Sequence, residues 1–230
     1  MLVHSSLSRL GYVAGGAQAV VLALLDVVGT AGTVVMPAHS SDWSDPAQWG
    51  NPPVPLDWQQ VIRDEVPAYD ARLTPTRGMG AVVECFRHVT GAVRSDHPSG
   101  SFVAVGSDAA AIVEGHELAN GFGERSPLGR LYDLDAWVLL LGVGHANNTS
   151  LHLAEYRSDA PKNWISQSAA VMVDGKRTWV TWQQLEGGAD DFETLGHAFA
   201  VMGQQHTGPV GAGTANLIRS YGSENDRTPC

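Results

Sequence analysis

The stretch Trp137-Val138-Leu139-Leu140-Leu141-Gly142-Val143-Gly144, with Asn148-Thr149-Ser150-Leu151-His152-Leu153-Ala154-Glu155 behind it, decides the fold. An apolar run this short, bounded by glycine, has the length of a strand buried on both faces rather than of a helix. Beyond the glycines the pattern changes. Polar residues offer a cap, and a helix follows. Such a junction aims backbone N–H groups and a helix N-terminus into the crevice past the strand's carboxyl end. His152 and Glu155 are three apart, so one helix face carries both, and a carboxylate there can orient an imidazole. A base of near-neutral pKa, an acid to hold it and nearby N–H donors are what acyl transfer to an amine requires.

Working outward, strands and helices alternate. Leu2-Val3 reads as a buried strand with His4-Ser5-Ser6 as the loop beyond it, Ala17 to Val28 as a helix, and Thr33-Val34-Val35-Met36 as a strand stopped by Pro37. Residues 39–56 hold Trp43, Trp49 and several prolines without periodicity, the mark of a long functional loop. Trp58 to Glu65 is an amphipathic helix. Thr76 is placed to cap a helix from Met79 to Arg87. Ser101 to Val105 is a strand and Asp108 to His116 a helix. Asp174-Gly175-Lys176 between two β-rich runs signals a hairpin, Asp191 to Met202 a helix, and the glycine-rich Gly208 to Gly213 leads into a short last segment. The expectation is an α/β sandwich on a mixed central sheet with a β-hairpin insertion.

Composition narrows the function. The chain has 230 residues and 43% hydrophobic residues, enough for one sizeable core. Basic residues number 14 and acidic 24, so the net charge of −10 disfavours nucleic acid and anionic membranes and suits a polycationic partner. The only cysteines, Cys85 and Cys230, imply no disulfide framework. The N-terminus lacks a signal-peptide pattern, and the most apolar stretch, Ala17 to Val28, is too short to span a bilayer and contains Asp26. A cytoplasmic protein is expected.

The segment from Leu139 to Glu155 resembles the signature of the aminoglycoside 3-N-acetyltransferase family. His4-Ser5-Ser6-Leu7-Ser8, Met36-Pro37-Ala38-His39-Ser40 and Thr74-Pro75-Thr76-Arg77-Gly78-Met79-Gly80 match in the same order. So do Glu84-Cys85-Phe86-Arg87, His97-Pro98-Ser99-Gly100-Ser101-Phe102, Ser126-Pro127-Leu128 and Asp190-Asp191-Phe192. The resemblance runs from about residue 2 to about 219. It implies a three-layer α/β/α arrangement, in one acetyltransferase domain over 1–220. The family's usual N-terminal helix is absent, and 221–230 reads as an unrelated tail. It also implies transfer of acetyl from acetyl-coenzyme A to the 3-amine of an aminoglycoside, and with it antibiotic resistance.

Roles follow residue by residue. An ammonium must lose a proton before it attacks a thioester, and a histidine of pKa roughly 6.5 is the fitting acceptor. His152 is assigned as general base and Glu155 as its orienting acid. In the family, His4's position borders the thioester, which suits positioning of the acyl group or donation to the oxyanion; a structural bond to a neighbouring loop is the alternative. Ser5, Ser6 and Ser8 offer donors to coenzyme phosphates, and Arg77 sits just before the Met79 helix, where its guanidinium and the helix dipole can share a phosphate. The matched motifs add Leu7, Thr76, Met79, Gly80, Ser101 and Phe102 to the coenzyme set. For the cationic acceptor, Asp42, Trp43, Asp45, Tyr69 and Asp70 form an acidic and aromatic stretch. Glu84 and Asp191 join them, with an ion pair to Arg87 and a helix cap as the plain alternatives.

Rival readings remain at this point. The acceptor can be an amine of a biosynthetic intermediate. A metal-dependent hydrolase would use His4, His39, His152 and Glu155 as ligands, but the chain lacks HExxH and no metal is expected. A non-catalytic relative would only sequester a cationic antibiotic.

Overall fold

A computed structural model of the chain describes residues 1–219; the tail at 221–230 lies outside the described residues. The strands are β1 (Leu2–Ser5), β2 (Thr33–Pro37), β3 (Val93–Arg94), β4 (Phe102–Gly106), β5 (Trp137–Leu141), β6 (Trp164–Val173), β7 (Lys176–Leu185), β8 (Gln205–Val210) and β9 (Gly213–Arg219). The helices are α1 (Gly16–Val28), α2 (Leu56–Glu65), α3 (Gly80–Phe86), α4 (Ala109–Val113), α5 (Pro127–Asp133), α6 (Leu151–Arg157) and α7 (Phe192–Val201).

Seven strands form one sheet in the order β3-β4-β2-β1-β5-β9-β8, and β6 and β7 pair separately. Strand β1 lies at the centre, parallel to both β2 and β5, while β4 and β9 run antiparallel outside them. Central strands have no wet face, and so β2 is buried at every residue. Alternate side chains point to opposite layers. Val3, Val34 and Met36 meet Val21 and Leu24 of α1 and Val82, Val83 and Phe86 of α3 on one face. Leu2, Val35, Val138 and Leu140 meet Ile112 of α4, Leu128 and Leu131 of α5 and Leu153 of α6 on the other. The three-layer sandwich with a mixed sheet and a separate hairpin is therefore the observed architecture.

The hairpin turns at Asp174 and Gly175, both at positive φ (49° and 75°), the two-residue geometry that suits the twist of paired strands. It lies across the long loop. Gln48 donates to Ser166 O (2.8 Å), Tyr69 N–H to Ala170 O (2.8 Å), and Arg177 to Val66 O (2.7 Å).

Three local expectations are corrected. His4 and Ser5 belong to β1 rather than to a loop, with His4 in register with Leu140. Thr76 does not cap α3: its N–H and hydroxyl both donate to Glu84, whose carboxylate reaches back from inside the helix. The last segment is the hairpin β8–β9, and β9 adds to the main sheet beside β5. Pro209 is tolerated there because β8 is an edge strand.

Candidate active site

The strand ends of β1 and β5 open onto the site, and α6 supplies its central pair. His152 Nδ1 lies 2.7 Å from Glu155 Oε2. An ionised carboxylate only accepts, so Nδ1 donates to it, and in the neutral form of the ring Nε2 is left with its lone pair. The ring cannot swing. It stacks on Phe122 (centroids 4.8 Å apart, planes 21° apart) and meets Phe192 edge-on at 4.9 Å.

Two openings share walls here, and a third lies behind Phe122. An outer cleft of about 1160 Å³ is lined by Ser5 to Arg9, Gly78 to Ala81 and Gly142 to Gly144. An inner cavity of about 250 Å³ shares Ser5, Gly78, Met79, Val143 and Asn147 with that cleft and adds His4, His39, His152 and Phe192. A side cavity of about 380 Å³ is lined by Asp42, Trp49, Arg77, Gln167 and Gln184, and by Phe122, the ring stacked on His152. The base thus stands between a large cleft and a polar side cavity.

The two other histidines of the inner cavity differ electrostatically. Burial, reinforced by the nearby His152, pushes His4 down to about 3, and burial with His4 and His152 beside it pushes His39 down to about 3. Both are neutral imidazoles at physiological pH. Their Nε2 atoms, and the Ser5 hydroxyl, are buried without a protein partner. Polar atoms left unpaired cost about 1–3 kcal/mol each, and such groups are retained where function uses them. Among the described residues, no group of three His, Cys, Asp or Glu side chains is arranged to hold a metal ion.

The sequence-predicted residues divide. Ser5, Ser6, Leu7, Ser8, Met79 and Gly80 line the outer cleft together. Arg77 instead faces the side cavity, 3.5 Å from Asp42. Thr76 is turned to Glu84. Ser101 and Phe102 are fully buried, the hydroxyl donating to Ala38 O (2.7 Å) and the ring packed in the core, so neither reaches the cleft.

Of the acceptor candidates, Asp42 lines the side cavity. Trp43 donates to Pro67 O (3.0 Å) and Asp45 is bound to Arg63 (2.7 Å). Tyr69 is buried, donating to Ser95 O (2.9 Å) beside Arg94. Asp70 accepts from Leu73 and Arg72 N–H, which hold its carboxyl below the usual range and close a local turn. Burial pushes Glu84 up, but Thr76 and Arg87 outweigh it and keep it ionised and paired, at 2.7 Å from Arg87. Asp191 sits at the start of α7, exposed and without a side-chain cap.

Sequence reasoning missed several lining groups. Arg9 is the cation of the outer cleft. Gln167 and Gln184 come from the hairpin, and Phe122 from a glycine-flanked loop with no periodic signal. The Gly187-Gly188 segment, which follows β7, lies against the His152–Glu155 pair.

With that geometry in place, comparison with known proteins is decisive. The family model described as aminoglycoside 3-N-acetyltransferase matches residues 2–222. A Bacillus subtilis relative, the SPbeta prophage-derived aminoglycoside N(3')-acetyltransferase-like protein YokD, is 47% identical over 95% of this chain and 80% of its own length. Its crystal structure superposes with a TM-score of 0.93 at 46% identity, covering 95% of this chain and 81% of that one. Aminoglycoside N(3)-acetyltransferase VII of Streptomyces paromomycinus is 34% identical over 96% of this chain and 81% of its own. Two ligand-bound structures are also similar. AAC-IIIb with CoASH has a TM-score of 0.83 at 29% identity (95% and 84% covered), and sisomicin-bound AAC-VIa 0.85 at 30% (95% and 85% covered). The chain belongs to the aminoglycoside 3-N-acetyltransferase family, whose members are acyltransferase enzymes.

Proposed function

We propose that this protein transfers acetyl from acetyl-coenzyme A to the 3-amine of an aminoglycoside, with His152 as general base. The observation that carries the reading is the His152 Nδ1–Glu155 Oε2 bond of 2.7 Å, which leaves Nε2 of a residue lining the inner cavity as the proton acceptor. His152 accepts a proton from the acceptor amine, and Glu155 stabilises the resulting imidazolium. The amine nitrogen bonds to the acetyl carbon, the carbon–sulfur bond breaks, and the imidazolium returns the proton to the departing sulfur, so coenzyme A leaves as a thiol. His4, held neutral by burial, is unsuited to be the base and suited to contact the acyl oxygen.

The outer cleft suits the coenzyme: Ser6 and Ser8 present hydroxyls, Arg9 a guanidinium for phosphate, and the glycines close backbone approach. A structural neighbour of the same fold binds CoASH. The side cavity suits the acceptor, since amide side chains and Asp42 can receive amines and hydroxyls; another neighbour binds sisomicin. Asp42 is already paired with Arg77, an observation that also favours trying less cationic amino sugars.

A thiol-release assay with acetyl-coenzyme A tests the reading against an aminoglycoside panel and simple amino sugars, with and without chelator. The expected result is aminoglycoside-dependent thiol release that survives EDTA and shows weaker apparent binding as salt rises, because the chain carries −10. Release with amino sugars alone would move the acceptor to another amine class. Chelator-sensitive turnover would contradict the metal-free mechanism, and salt-sensitive binding without release would leave only sequestration.

A further inference from the structure

The segment that leaves β7 lies directly on the His152–Glu155 pair. A Cβ built on Gly187 would stand 2.8 Å from His152 Nδ1, 3.0 Å from its Cε1 and 3.1 Å from Glu155 Oε2. Those atoms have nowhere to retreat, since the ring is fixed between Phe122 and Phe192 and is bound to Glu155. The next residue completes the contact: Gly188 N–H donates to Glu155 Oε1 at 3.2 Å, while Oε2 faces His152. Each carboxylate oxygen therefore has its own partner, Oε2 the imidazole and Oε1 the Gly188 backbone.

We propose that Gly187 and Gly188 form the positioning element of the catalytic pair, the bare Cα of Gly187 leaving room for the His152–Glu155 bond and the Gly188 amide fixing the carboxylate that makes it. The proposal rests on the reading of His152 as general base. It also gives the hairpin a role in the reaction. Gln184, three residues before Gly187, lines the side cavity, so one short run of backbone touches both the acceptor's place and the base. A side-chain hydrogen bond could be replaced by another polar residue. The amide at 188 survives any substitution except proline, whereas at 187 only glycine, lacking a Cβ, avoids the close contacts.

The test is Gly187→Ala, compared with Gly208→Ala, a control on β8 where a Cβ meets nothing within 4 Å. In Gly187→Ala the added methyl separates the pair. Turnover should fall by roughly ten- to a hundredfold, as for loss of a hydrogen bond to a charged group, while the KM for acetyl-coenzyme A stays at the wild-type value. The downfield Nδ1–H proton resonance of a carboxylate-bound imidazole, present in wild type and in Gly208→Ala, should be lost. A Gly187→Ala protein with wild-type turnover and an intact downfield resonance would overturn the proposal. Should that variant fail to fold, the Gly188 amide resonance carries the same question: it should move on Glu155→Gln, and an unmoved resonance would overturn the proposal equally. Both resonances are read without turnover, so a wild-type protein inactive toward aminoglycosides would sink the functional reading and leave this inference to stand or fall separately.

Discussion

At the level of single residues, His152 is set apart by its carboxylate partner. His4, His39 and His152 line one cavity, and only His152 is bound to a carboxylate. Glu155→Gln keeps the shape of the side chain but removes the negative charge that favours an imidazolium. Turnover should fall roughly ten- to a hundredfold, corresponding to about 1.5–3 kcal/mol for a hydrogen bond to a charged group, and by less than loss of His152 itself. Wild-type turnover in that variant, measured by thiol release, would make Glu155 an ordinary helix-surface acid. The pair was legible in the sequence because spacing of three fixes a shared helix face. The acidic acceptor set was less so. Asp45, Asp70 and Glu84 are spent on Arg63, on a turn and on Arg87, and sequence proximity does not reveal which carboxylates the fold has already used.

At the element scale, α7 and the hairpin bring distant chain to the cleft. Glu193, in the first turn of α7, accepts from Ala146 N–H at 3.0 Å and so ties down the loop between β5 and α6, which lines both the outer cleft and the inner cavity. Glu193→Ala should raise the KM for acetyl-coenzyme A about fivefold, as expected for about 1 kcal/mol of lost hydrogen bonding, with kcat nearly unchanged. A kcat defect at constant KM would instead place Glu193 with the catalytic pair. The central strands and long helices were readable from apolar runs and periodicity. β9 was not, because the glycine and proline before it read as breakers, and its place beside β5 is a long-range pairing that local pattern does not carry. Gln167 and Gln184 were invisible for the same reason: the hairpin was recognised, but not what it leans on.

At the scale of the whole molecule, burial of histidine sets the pH response. Burial lowers His4 and His39 to about 3, His97 to about 4 and His116 to about 2. His97 and His116 are fixed as neutral rings by Gly100 N–H, Leu118 O, Ser95 and Gly121 O. The unfolded chain binds protons at these groups from roughly pH 6.5 downward, whereas the folded chain does not until far lower. Their stabilisation is therefore complete above that pH and lost as pH falls below it. The urea midpoint should be flat above about pH 7 and decline steadily toward pH 5, above the window in which carboxylates titrate; a midpoint unchanged from pH 7 to pH 5 would contradict the buried, neutral assignment. The proposed reaction depends on His152, the histidine paired with a carboxylate among the described residues. The most direct measurement is the turnover of His152→Ala beside wild type, by thiol release at saturating acetyl-coenzyme A and aminoglycoside. The account predicts a loss of roughly 10²–10⁴-fold, the usual worth of a general base, with coenzyme binding and urea midpoint near wild type; turnover within a few fold of wild type would contradict it.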